Sequence, residues 1–266
     1  MLVVLFFTVF GPFYALHIAG KLKKLNSDPA ASKMAEGTTD ERQSDKIYMS
    51  NTFSFKSAQK CYKRFVNTTF NDYMLGNVSV SLDKWFKQNG IKDAKKVAIA
   101  VPINARPPPT NLKNLKLGNH VMGYKMELPI RPDLESAIAE TKKSFWSNFS
   151  PAIINSFYKL SDIFRYAPQK MVDQATADAL EGIGLCFSNI PISREEATLC
   201  GRKLQDCGFW THNQMNIKLL VICTTYQDKI KLCYSASQSM KMDPKGLIKC
   251  IEDSLNEEFE QFAKAD

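Results

Sequence analysis

Few residues in this chain of 266 are of a type and spacing that do chemistry. The three histidines are His17, His120 and His212, and none has a second histidine beside it. A general base needs a partner that orients its ring, so a lone histidine is a weak catalytic signal. No H-H-x-x-x-D, H-E-x-x-H, G-x-S-x-G or phosphate-loop pattern occurs. The expectation is a chain with no catalytic residue of its own and no metal site. The seven cysteines are Cys61, Cys186, Cys200, Cys207, Cys223, Cys233 and Cys250. Their odd number and the lack of C-x-x-C spacing argue against a zinc knuckle and a fully paired disulfide framework. Several sit inside apolar runs and read as buried, reduced thiols. Two polar pairs remain as site candidates. Asn71-Asp72 is either part of a helix cap or a pair that positions a segment beside a site. Ser188-Asn189 belongs to Ser188-Asn-Ile-Pro191, which is either a plain turn or a strand end lining a ligand cleft.

These pairs can act only where the surrounding elements put them. Lys46 to Phe53 reads as a strand, and Ser54 or Ser57 caps a short helix ending near Val66. Thr69 with Asp72 three residues on makes a capping box. Phe70, Met74, Val78, Leu82 and Trp85 follow at helical spacing until Asn89-Gly90 ends the helix. Lys96 to Ile103 is a continuous apolar run, as in a strand covered on both faces. Asn104 to Pro109 breaks it, and His120 to Leu128 reads as the next strand. Pro132-Asp133 opens a helix to about Ser147. Pro151 to Tyr166 and Pro168 to Leu180 read as two more helices. Ile183 to Phe187 is a strand that ends in Ser188 to Pro191, and Thr198 to Trp210 is another. Asn216 to Thr225 and Lys229 to Ala236 pair as a hairpin across Tyr226-Gln-Asp228. Asp243-Pro244 opens the last helix, lined by Leu247, Ile248, Ile251, Leu255, Phe259 and Phe262. The order is mixed α/β, with crossovers early and an antiparallel ladder late.

Composition bounds the setting. Hydrophobic residues make up 44% and charged residues 23% of the chain, which excludes a wholly disordered or collagen-like chain. The net charge of +8 suits an anionic ligand or membrane surface and is too diffuse to indicate nucleic acid. Leu2 to Ala19 is uncharged and is followed by Lys21, Lys23 and Lys24. A membrane anchor or interfacial segment over residues 1–24 fits this best. A signal peptide lacks its usual basic start here, and a buried core helix is a third reading. Asn26 to Asp45 is polar and without period, so residues 25–45 are expected to form a flexible linker and 46–266 the folded unit. The sequons at Asn67, Asn77 and Asn148 matter only in a secretory lumen, and Asn77 lies inside the expected core helix.

From Lys46 onward the chain resembles the carboxy-terminal half of the wax ester synthase/diacylglycerol acyltransferase family. Val66-Asn-Thr-Thr-Phe-Asn-Asp72 is similar to that family's "T-V-N-D" helix. Ala100-Val-Pro-Ile-Asn-Ala-Arg106 is similar to its "V-P-V-N-x-R" strand, and Leu117-Gly-Asn-His120 to its "G-N" strand. Phe187-Ser-Asn-Ile-Pro191 is similar to "S-N-V-P-G", with Ile192 where the family usually has glycine. The closing hairpin and Asp243-Pro244 complete five pieces in order over roughly 220 residues. The resemblance implies an α/β fold: the second subdomain of a CoA-dependent, chloramphenicol acetyltransferase-like acyltransferase, with a mixed sheet flanked by helices. It implies acyl transfer from acyl-CoA, a co-substrate rather than a bound cofactor, to diacylglycerol or a long-chain alcohol. The family's base, the second histidine of H-H-x-x-x-D-G, belongs to an amino-terminal half that this sequence does not contain. An amino-terminal lobe, in the same or another chain, is therefore an implied partner. Asn71, Asp72, Ser188 and Asn189 are then expected to shape the substrate site in support. Eukaryotic members often carry an apolar segment between the halves, which Leu2 to Ala19 matches. The expected location is a membrane, that of the endoplasmic reticulum, with the domain facing the cytosol. The rival readings are a non-catalytic, membrane-tethered lipid- or protein-binding domain, and a secreted lipid-binding domain.

Overall fold

The computed structural model describes residues 17, 20–36, 45–104, 121–149, 166–211 and 217–263. The stretch 2–16, residues 18–19, residues 151–165 of the helix expected over 151–166, His120 and His212 lie outside the described residues. No helix among the described residues is long and apolar enough to cross a membrane.

Strands β1 (Lys46–Met49), β2 (Phe53–Ser54), β3 (Lys96–Asn104), β4 (Val121–Pro129), β5 (Leu185–Ser193), β8 (Leu219–Tyr226) and β9 (Lys229–Ala236) form a seven-stranded sheet. The order is β1-β9-β8-β5-β3-β4, with β2 also on β9. β5 is parallel to both β3 and β8, and the other pairings are antiparallel. A sheet with parallel strands at its centre must be covered on both faces. One face carries α1 (Phe55–Tyr62), α2 (Phe70–Gln88), α3 (Leu134–Asn148) and α5 (Pro244–Ala263), which bury the main core with Val97, Ile99, Leu185, Phe187, Val221 and Tyr234. On the opposite face, Leu180 of α4 (Gln169–Leu180) packs against Ala100, Ile183, Cys186, Leu220 and Ile222. The expected mixed sheet flanked by helices is present.

Helix α2 lies at the centre of the helical layer. Every residue from Asp72 to Leu82 is buried. Gly76 lets α3 approach: a Cβ there would lie 2.6 Å from Ile138 Cγ1. Between α2 and α5 several polar groups satisfy one another. Asn77 Nδ2 donates to the Tyr73 carbonyl at 2.9 Å, and Asn77 Oδ1 accepts from the Ser254 hydroxyl at 3.2 Å. Ser81 Oγ donates to the carbonyls of Asn77 and Cys250. Burying a polar group is costly unless it is paired in this way. Asn77 is fully buried, so its sequon is closed to any modifying enzyme in the folded state.

Three expectations are corrected. Residues 25–36 are not a tether. They form a turn and a short 3-10 helix, Ala31–Ala35, whose Ala31 and Met34 are fully buried. Asp28 accepts backbone N–H groups of Ala31, Lys95 and Lys96, and Ser27 Oγ accepts that of Ala98. The segment thus pairs with the start of β3, and its apolar pair fills the core beside Gly184. The folded unit therefore begins before Lys46. Secondly, β5 does not stop at Phe187. It continues through Ser188, Asn189 and Ile190 because β8 offers a parallel ladder as far as Tyr226. Thirdly, Thr198 to Trp210 is not one strand. β6 (Thr198–Leu199) and β7 (Arg202–Lys203) turn back on each other at Cys200 and Gly201, both with positive φ. The chain after β7 lies against the sheet instead: Tyr226 donates its hydroxyl to the Leu204 carbonyl, and Thr224 donates to that of Cys207.

Candidate functional site

The three parallel strands β3, β5 and β8 end on the same side of the lobe, the usual position of a ligand crevice in such sheets. Helix α2 runs the opposite way. Ser79, halfway along it, bonds the carbonyl of Pro129 beside the start of β3. The amino end of α2 therefore reaches the carboxyl ends of the strands. Phe55 joins the two: its ring lies 5.2 Å from that of Phe70, and the Arg194 guanidinium, just past β5, sits 3.4 Å from its centroid.

Asn71 and Asp72 are on this side, in the first turn of α2. The capping box is formed as the sequence predicts. Asp72 accepts the Thr69 N–H at 2.9 Å and its hydroxyl at 2.7 Å, while Thr69 Oγ1 accepts the Asp72 N–H at 3.2 Å. With Asp72 buried and engaged so, its work is to hold the helix start, and half-buried Asn71 sits on that fixed turn. Ahead of the cap, Asn67 takes a positive φ, and the Lys142 ammonium of α3 donates to the carbonyls of Val66 and Asn67.

Ser188 and Asn189 lie near the end of β5 and face opposite ways. Successive strand residues alternate, so Asn189 shares the helix side with Leu185 and Phe187. Ser188 shares the other with Cys186 and Ile190. The structure thus brings Asn189 to the α2 side of the sheet and leaves Ser188 across it. Asn189 Oδ1 is buried and makes no hydrogen bond among the described residues. An unpaired buried acceptor is uncommon, which sets Asn189 apart from the other candidates.

The thiols follow a simple pattern. Burial pushes Cys186 up to about 12, and burial with the nearby Cys233 raises Cys223 well above the ordinary range. Cys61, Cys233 and Cys250 are raised chiefly by burial too. Such thiols stay protonated at neutral pH and are poor nucleophiles. All seven cysteines are free; only Cys200 and Cys207 lie outside the buried set. Among the described residues no group of His, Cys, Asp or Glu forms a metal-holding cluster.

One feature of this end escapes sequence reading. A cavity of about 520 Å³ opens between α1, the Gln227-Asp228 turn and Arg194. Its walls come from three segments far apart in the chain, so no local pattern announces it. The Ser54 cap and the Tyr226-Gln-Asp228 turn are read from the sequence, and both are present: Ser54 Oγ accepts the Ser57 N–H at 3.1 Å, and β8 pairs with β9 across the turn.

A family model described as the WS/DGAT C-terminal domain matches residues 117–258. No curated protein matches the chain. Among solved structures, the wax ester synthase/diacylglycerol acyltransferase from Marinobacter aquaeolei VT8 is similar at 13% identity and a TM-score of 0.55, over 97% of this chain and 57% of that one. The epimerization domain from the third module of tyrocidine synthetase B is similar at 12% identity and a TM-score of 0.59, over 97% and 57%. The starter condensation domain of rhizomide synthetase follows at 10% identity and a TM-score of 0.54, over 95% and 51%. The chain spans about half the length of these structures. They share the fold of the CoA-dependent acyltransferases, and this chain has one lobe of it.

Proposed function

The chain belongs to the family of the WS/DGAT C-terminal domain, and from that premise we propose that it is the carboxy-terminal lobe of an O-acyltransferase that moves an acyl group from acyl-CoA to diacylglycerol or a long-chain alcohol. The family match over residues 117–258, from just before β4 to the last helix, carries this reading. In the proposed reaction a base on the amino-terminal lobe removes the alcohol proton. The alcohol oxygen attacks the thioester carbonyl, and the tetrahedral intermediate collapses to ester and CoA thiolate, which takes up the proton. This lobe supplies shape. The capped start of α2 with Asn71, and Asn189 with its unpaired acceptor, form its side of the crevice. The proposed setting is the cytosolic face of the endoplasmic reticulum membrane, where long-chain alcohols and diacylglycerol partition, with the apolar stretch 2–19 as the attachment.

The test is transfer of labelled acyl groups from acyl-CoA to hexadecanol or diacylglycerol. It is run on the chain alone and on the chain co-expressed with an amino-terminal lobe that carries H-H-x-x-x-D-G. The expected result is turnover by the pair and none by the chain alone. Turnover by the chain alone that survives His120→Ala and His212→Ala would leave the proposal without its mechanism. Lipid binding with no turnover by the pair would favour a non-catalytic binding domain.

A further inference from the structure

We infer that the cavity between α1 and Arg194 binds the nucleotide end of acyl-CoA, the adenosine bearing its phosphates; the choice of ligand rests on the function proposed above. The argument starts from the two cations. Arg194 is exposed, but its guanidinium lies over the Phe55 ring, 3.4 Å from the centroid. This contact restrains a group that otherwise loses much rotamer freedom on binding, so Arg194 is held in the cavity wall at reduced entropic cost. Lys56 stands on the α1 wall. Neither cation forms an ion pair among the described residues. The one carboxylate in the lining, Asp228, already accepts from the Lys56 N–H at 2.6 Å and the Ser54 hydroxyl at 3.2 Å.

The frame is rigid. The Asp228 carbonyl accepts the Phe55 N–H at 2.8 Å, and the Gln227 N–H donates to the Ser193 carbonyl at 2.7 Å. The β8–β9 turn therefore locks the helix that carries Lys56 to the strand end that leads into Arg194. Two cations held on separate, interlocked walls suit a ligand with separated anionic groups. The volume of about 520 Å³ is far more than a bare phosphate fills and falls in the range of organic ligand sites. Half-buried Tyr62 adds an aromatic surface on which a base can stack. The cavity also sits at the strand ends where the proposed substrates meet.

The experiment is calorimetric titration of the full chain with 3′-phosphoadenosine 5′-phosphate and, separately, with inorganic phosphate. The expected result is saturable binding of the nucleotide, weakened about tenfold by Arg194→Ala or Lys56→Ala and more by the pair. Lys92→Ala, an exposed cation away from the cavity, is expected to change nothing. Both cavity cations are exposed, so these variants should keep the native thermal midpoint. No binding by the native chain, or equal binding by the double variant, overturns the site. Inorganic phosphate binding as tightly as the nucleotide also overturns it. Acyl transfer by the two-lobe pair separates the two ideas. A native KM for acyl-CoA in the double variant sinks the cavity and spares the proposed function. Cavity-dependent nucleotide binding with no acyl transfer to any acceptor supports the cavity and sinks that function.

Discussion

Asp72 shows what a single side chain does here. Its carboxylate holds both the N–H and the hydroxyl of Thr69, so it governs how α2 begins. Asp72→Ala should lower stability by about 1 kcal/mol, in line with lost helix caps, and chemical denaturation would measure it. A much smaller loss would mean that the cap is redundant. At this scale the sequence was most readable. Thr69 and Asp72 are three residues apart, and a capping box needs no knowledge of the rest of the chain. Asp243 with Pro244 was legible for the same reason: Asp243 accepts the N–H groups of Lys245 and Gly246. Ser188 and Asn189 were legible as candidates but not as a pair divided by the sheet. Asn189 and Pro191 resemble turn residues, and only the ladder with β8 reveals that the strand continues.

Packing between α2 and α3 depends on the absence of a side chain. A Cβ at position 76 would stand 2.6 Å from Ile138 Cγ1 and 3.2 Å from Leu134 Cδ1. The helix propensity of alanine favours Gly76→Ala by roughly 1 kcal/mol, yet overpacking of a close-packed contact costs about 1 to 3 kcal/mol. The clash should win, giving a lower thermal midpoint. Adding Ile138→Val, which removes a methyl group from α3, should recover part of the loss, and a scan of both variants checks it. The helical pattern of α2 was plain from its apolar spacing, but its nearly complete burial was not. Asn77, Ser79 and Ser81 interrupt that apolar spacing. Their partners, Tyr73 within the helix, Pro129 on β4, and Cys250 and Ser254 on α5, are mostly distant in sequence, and they let all three be buried on different sides of the helix.

The lobe as a whole takes in the segment before β1, which composition had set aside as a tether. Asn26 to Ala35 is polar enough to hide two buried residues, Ala31 and Met34, and the acceptors of Asp28 and Ser27 fasten the segment to β3. Burial pushes the Asp28 carboxyl up, but the N–H groups of Ala31, Lys95, Lys96 and Ala30 outweigh it and hold its pKa below the ordinary value. A carboxylate of lowered pKa adds stability that is full above the unfolded value, about 4, and is lost as pH falls through the lower folded value. The native chain should therefore lose stability below about pH 4 more steeply than Asp28→Asn, as acid titration followed by circular dichroism would show. Met34→Ala should cost about 2 to 5 kcal/mol, as for other large-to-small core changes.

Strand β1 pairs with β9 in a register that sets Lys46 against Ala236 and Met49 against Cys233. Its partner, β9, follows every other strand of this sheet in the chain. Until β9 is made, β1 has no ladder to join, and the parallel centre, itself built from pieces far apart, is equally incomplete. Folding of this lobe must therefore wait until β9 has been made, with unpaired strands exposed in the interval. Chaperone demand during biosynthesis is thus written into the strand order of the sheet.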